Sequence, residues 1–238
     1  MPTEILLGDI SVDVVFKDIQ NVHLSVHPPT GRVRIAAPSR MDTDTIRAFA
    51  ISRLDWIRRQ QRDLRDQPRE TPREYLDRES HYLWGRRYLL KVLEANAAPK
   101  VELEHRWMLL IVRPDAAEAA RQEVLARWYR DQIRAAMPGL LARWEPVLGV
   151  KAEKFFVQQM KTRWGSCNAI NRTIRLNTEL AKKPPECLEY VVVHELVHLL
   201  EPTHNARFVA LMESFMPEWH FRRQVLNQLP VRHETWGY

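Results

Sequence analysis

The stretch VVVHELVHLLEPTH, Val191 to His204, constrains this chain more than any other. Seven aliphatic residues, Val191, Val192, Val193, Leu196, Val197, Leu199 and Leu200, surround His194, Glu195 and His198. The run predicts a helix buried on most sides, in which each polar group needs a partner. Residues four apart on a helix share a face, one turn along. His194 and His198 therefore present two imidazoles side by side, able to reach one ion at the usual Zn–N distance of ~2.0–2.1 Å. Glu195 is rotated from His194 by about 100°. It falls outside the ligand pair but beside the open coordination position, where a carboxylate can act as general base on water. A buried helix with hydrogen-bonded histidines is the competing interpretation, and it requires a chance acceptor for each ring.

A catalytic zinc site takes three protein ligands and leaves a position for water; a structural site is closed by four. His204 follows His198 by six residues. Pro202 limits the helix, since the residue before proline disfavours helical backbone. The chain can then turn back and bring His204, near the start of the next helix, to the same ion. Glu213 competes for the third place, and His204 is preferred. Metzincins share the second-to-third spacing but carry glycine where this chain has Glu201, which argues against that assignment. The expected site is thus His194, His198 and His204 as ligands of Zn2+, Glu195 as catalytic base, and no other cofactor. His220 is a further candidate, as a polarising group. His23, His27, His81, His105 and His233 share no ligand spacing.

Elsewhere the pattern alternates between strand and helix, an α+β chain. Ile10, Val12, Val14 and Phe16 alternate along one strand face; Val22, Leu24 and Val26, then Val33 and Ile35, repeat the beat around a turn at HPPTGR. A helix capped by Asp42 or Thr43 carries Ile46 to Ile57 at helical spacing and stops at Pro68 and Pro72. HYLWGRRYLLKVLE and KVELEHRWMLLIVR read as strands. Ala116 to Met137 reads as a helix ended by Pro138-Gly139, with a shorter helix to about Glu145. KFFVQQM and NRTIRLN are strands; helices follow from Pro185 to about Leu200, around Phe208 to Phe215, and over Trp219 to Leu229. Two parts are expected: a mixed strand/helix part over 1–113 and a catalytic part over 114–238. No internal repeat is visible.

The net charge of +6 sets the choice of partners. The densest basic window, residues 53–73, holds seven arginines diluted by Asp55, Asp63, Asp66 and Glu70, the composition of a solvated helix face. Nucleic acid is weakly supported as a partner. No signal peptide is expected and no run is long enough to span a membrane, so the expected compartment is the cytoplasm. Cys167 and Cys187 are expected as reduced thiols, at least one buried.

The segment from Lys161 to Trp219, with RWGSC (Arg163 to Cys167), the strand ending at Asn177, VVHELVH, and His204 with Phe208 behind it, resembles the YgjP-like zinc metallopeptidase family. That family is similar in its catalytic core to SprT-type and WLM-type proteases. The resemblance implies a zincin-like core, a small sheet beside the HExxH helix. It assigns ligand roles to His194, His198 and His204 and the catalytic role to Glu195; the activity expected of that site is peptide-bond hydrolysis, with a peptide or protein as substrate. It also suggests that the strands around Trp164–Cys167 and Ile170–Asn177 flank the cleft. Two alternatives stay open: a metal-dependent nucleoside triphosphate pyrophosphatase acting on UTP-type substrates, although the chain has no P-loop, and a nucleic-acid-associated protease.

Overall fold

The computed structural model describes residues 3–27, 30–66, 73–160 and 163–230. The expected turn at Pro28-Pro29, the helix stop at Pro68 and Pro72, and His233 lie outside them. Two compact units divide the chain, Met1–Arg69 and Glu70–Arg232.

The first unit holds β1 (Thr3–Leu7), β2 (Ile10–Lys17), β3 (His23–His27), β4 (Arg32–Pro38), α1 (Thr43–Ser52) and α2 (Leu54–Asp66). Its sheet runs β1-β2-β4-β3, with β2 and β4 parallel and the outer pairs antiparallel. Alternation buries Ile10, Val12 and Val14 on one face, as their spacing predicts, but Phe16 is exposed toward the strand's end. Asp42 caps α1 by accepting the Thr45 N–H at 2.8 Å. The single helix expected from Ile46 to Ile57 is two helices, broken at Arg53. Ile46, Ala50 and Ile57 complete the core of this unit.

The second unit begins with β5 (Ser80–Leu83), β6 (Arg86–Glu94), β7 (Lys100–Glu104) and β8 (Trp107–Val112). Their order, β5-β6-β8-β7, repeats the first sheet strand for strand, with β6 and β8 parallel and the outer pairs antiparallel. A repeat exists, therefore, in topology. The two long strands expected here are hairpins. They turn at Trp84-Gly85 (φ 50° and 77°) and at His105 (φ 51°), and the second turn has no glycine to mark its left-handed backbone.

α3 (Glu118–Leu148) is one continuous helix of 31 residues, where Pro138-Gly139 predicted a stop. A mid-helix proline removes one hydrogen bond and costs about 3 kcal/mol. Burial of Ile133 and Met137 before it, and of Trp144 and Leu148 after it, outweighs that cost. Gly149, at φ 66°, ends the helix. α3 packs on β7, β8 and α4, so the second sheet shares one core with the helices that follow. The division at 113 expected from the sequence is therefore not where the compact units part.

The chain continues through β9 (Lys154–Gln158), β10 (Gly165–Asn168), β11 (Thr173–Asn177) and a 3-10 helix (Thr178–Lys182). α4 (Pro185–Val197), α5 (Ala206–Phe215) and α6 (Trp219–Gln228) follow. The third sheet runs β10-β11-β9, with β10 on an edge. α4 packs on β10 and β11 on one side and on α5 and α6 elsewhere. Ten residues of α4 are buried, among them two glutamates, Glu189 and Glu195. Both cysteines are free thiols, Cys187 buried and Cys167 half-buried. No helix among the described residues is long and apolar enough to cross a membrane.

Candidate metal centre

α4 starts at Pro185, where a missing N–H breaks no helical bond. It ends at His198, whose N–H still bonds to the His194 carbonyl at 3.3 Å. Beyond it the Glu201 N–H returns to the Val197 carbonyl, and the chain leaves the helix axis. Glu201, which stands where metzincins carry glycine, accepts the Thr203 N–H and hydroxyl, the latter at 2.8 Å. Asn205 then caps α5 by accepting the Phe208 N–H at 3.0 Å. His204 sits between these two fastenings.

The turn brings His204 onto His194, their Nε2 atoms 2.9 Å apart. One nitrogen from each of His194, His198 and His204 lies within 4.8 Å of the other two. Among the described residues this is the group of three or more His, Cys, Asp or Glu that could hold a metal ion. Phe208 is buried behind all three rings, its centroid 4.9, 4.7 and 4.7 Å from those of His194, His198 and His204. Glu213 and His220 are outside this group. They face one another at 3.8 Å on exposed surface, and His220 stacks on Trp219.

Electrostatics favour neutral imidazoles. Burial first, then the neighbouring His198 and His204 and the charge of Arg223, push His194 down to about 3. Burial also lowers His198 and His204. A neutral imidazole offers a lone pair to a cation. His198 Nδ1 is 3.1 Å from the Glu201 carbonyl; donating there leaves Nε2 as its free acceptor, the usual support for a ligating histidine. His194 Nδ1 is buried with no hydrogen-bond partner among the described residues.

Glu195 is 4% exposed, and its Oε2 also has no hydrogen-bond partner there. Burial raises its carboxyl to about 8, against the pull of Arg163. It lies against Gly165 of β10, where a Cβ would come within 2.6 Å of Glu195 Oε1. Glycine at 165 thus makes the recess that holds this carboxylate. A divalent cation fits the assembly: it would satisfy three neutral nitrogens and stabilise the ionised form of the carboxylate beside them.

These groups open into a cleft of about 550 Å³, lined also by Trp164, Cys167, Tyr190, Arg163 and Arg223. Asn177, at the end of β11, fixes the lip before β10. Its side chain donates to the carbonyls of Met160 at 2.9 Å and Arg163 at 2.8 Å, and its N–H bonds to the Trp164 carbonyl. The RWGSC motif marks the stretch that holds Arg163 and Gly165 without giving either a role, and no local pattern singles out Arg223.

No curated protein matches the chain. A solved structure similar to part of it is the metallopeptidase zymogen of Pyrococcus abyssi abylysin, at 22% identity and a TM-score of 0.34. That likeness covers 40% of this chain and 97% of the other, and carries no weight for fold or function. The model of the YgjP-like metallopeptidase domain matches residues 20–229, which include β3 and α6 and residues of both compact units. The chain therefore belongs to the YgjP-like metallopeptidase family.

Proposed function

We propose that the protein is a zinc-dependent metallopeptidase with a zincin-type arrangement, in which His194, His198 and His204 hold the ion and Glu195 is the general base. The observation that carries this reading is the convergence of three imidazoles, from α4 and the turn after it, beside a buried carboxylate that lacks a partner. When bound, the ion acidifies a water molecule and polarises the scissile carbonyl. Glu195 takes the proton of the attacking water at Oε2 and returns it to the leaving nitrogen. Gly165 keeps the carboxylate in place, and Phe208 holds the rings against movement. The outer edge of β10, unpaired among the described residues, can align an extended peptide by backbone hydrogen bonds.

The test compares zinc content and peptide cleavage in Glu195→Gln and His198→Ala. Glu195→Gln keeps stoichiometric zinc and loses about 10²-fold or more in cleavage rate; His198→Ala loses both. Full cleavage by Glu195→Gln, or no zinc in the wild type, refutes the assignment.

A further inference from the structure

We propose that Arg163 and Arg223 form an anion-binding subsite that selects peptides with a carboxylate close to the scissile bond. The inference rests on the peptidase reading for its substrate and on the cleft itself for its charge. Both arginines line the cleft, and Glu195 is the one acid among its described lining residues. Glu195 is buried against β10, whereas both arginines are exposed. Among the described residues neither guanidinium has a hydrogen bond or ion pair. Arg222, adjacent to one of them, shows the contrast: it binds Glu189 Oε2 at 2.5 Å and Glu218 Oε1 at 2.9 Å. The fold neutralises that arginine and leaves Arg223 open.

The backbone that carries each arginine is anchored. Arg222 ties α6 to Glu189 of α4, and Trp219 and Leu226 are buried on the same helix. This fixes the rotation of α6, so that Arg223, Leu226 and Asn227, at helical spacing, border the cleft. Asn177 clamps the backbone of Arg163 and Trp164. Arg163 and Arg223 line the same cleft as His194, His204 and Glu195. The guanidiniums therefore share the cleft where the bond would be cut. A guanidinium is matched to a carboxylate, which it can bind through paired N–H donors. With a cation in the histidine cluster as well, the cleft repels basic peptides and draws acidic ones.

The carboxylate has two sources, an Asp or Glu side chain and a free peptide C-terminus. Three matched peptides separate them: one blocked at both ends with a central Asp, the same with Asn, and the Asn peptide with a free C-terminus. Binding is measured by calorimetry on zinc-loaded Glu195→Gln protein, and cleavage on zinc-loaded wild type. One or both carboxylate peptides should bind about tenfold tighter than the blocked Asn peptide. Adding Arg223→Ala or Arg163→Ala should bring that ratio near unity, while Arg134→Ala, on the exposed face of α3, should preserve it. Equal binding of all three peptides, or a ratio unchanged by both cleft substitutions, overturns the subsite. Arginine-dependent binding of UTP or pyrophosphate tighter than either carboxylate overturns its assignment to peptides. Selective binding without cleavage by the wild type sinks the peptidase reading and leaves the subsite standing. Cleavage of all three at equal kcat/KM does the reverse.

Discussion

Replacing Gly165 by alanine tests whether the recess for Glu195 is as tight as it is built. The added Cβ would stand 2.6 Å from Glu195 Oε1 and 2.9 Å from both Glu195 Cγ and Val191 Cγ1. Ordinary contact begins near 3.4 Å, so the overlaps are roughly 0.5–0.8 Å. Swinging the carboxylate away relieves one contact only. Val191 lies one turn earlier on the same face of α4 and still blocks the methyl, so β10 and α4 must separate. Overpacking of this kind costs about 1–3 kcal/mol, or about 2–4 °C in Tm per kcal/mol for a chain of this size. A shift of the proposed base by nearly that overlap lowers kcat/KM by about 10²-fold. The matched control is Gly139→Ala on the exposed surface of α3, where a Cβ meets nothing within 4 Å. That change raises stability by about 0.5–1 kcal/mol and leaves cleavage unaltered. Thermal unfolding and peptide cleavage of the two variants are compared side by side. If Gly165→Ala matches Gly139→Ala in both assays, the recess does not position Glu195.

The lip before β10 and the buried His81 give two more expectations. Asn177→Ala removes the donors to the Met160 and Arg163 carbonyls and should lower stability by about 2–3 kcal/mol in urea unfolding; a loss below about 0.5 kcal/mol would mean that water replaces the clamp. Burial, then the Arg73 charge, lower His81 from 6.5 to about 4, while its hydrogen bond to Glu79 acts the other way. As pH falls below 6.5 the unfolded chain takes a proton that folded His81 refuses until about 4, so its contribution to stability is complete above 6.5 and is lost across that window. The loss is on the order of 3 kcal/mol, and urea midpoints from pH 7 to 4 should show it in the wild type and not in His81→Gln. Parallel curves for the two proteins would contradict the burial argument.

What the sequence revealed was mostly local. His194 and His198 are one helical turn apart, Pro185 and Pro202 bracket that helix, and Asp42 caps α1. Each signal acts within a few residues, and the structure places His204 against His194 as the Pro202 break predicts. Contributions from distant elements were hidden. Pro138 reads as a stop because proline costs are local, yet the buried face of α3 extends on both sides of it. His105 turns a hairpin in left-handed backbone without the glycine that marks the turn at Trp84-Gly85. The repeated four-strand topology leaves only alternating apolar residues in common, a pattern that any strand satisfies. Gly165 was legible only as part of the RWGSC motif, because its role depends on Glu195 and Val191, which α4 brings against it.

The two buried glutamates of α4 show how one helix separates architecture from chemistry. Glu189 accepts from Arg143 at 2.7 Å, Trp144 at 3.0 Å and Arg222 at 2.5 Å, joining α3, α4 and α6. Burial would raise its carboxyl, but the hydrogen bonds from Arg222 and Trp144 and the two arginine charges hold it below the ordinary value. Glu195, six residues on, is buried as well, yet Oε2 has no partner among the described residues and its carboxyl is pushed up to about 8. A buried carboxylate without a partner is destabilising by itself. Pairs of like groups driven in opposite directions by their surroundings mark the division between a structural charge and a working one. Cations were available to this helix, and the fold gave them to Glu189. Glu195 is left lining one cleft with three neutral imidazoles, an arrangement that becomes favourable when a cation enters among them.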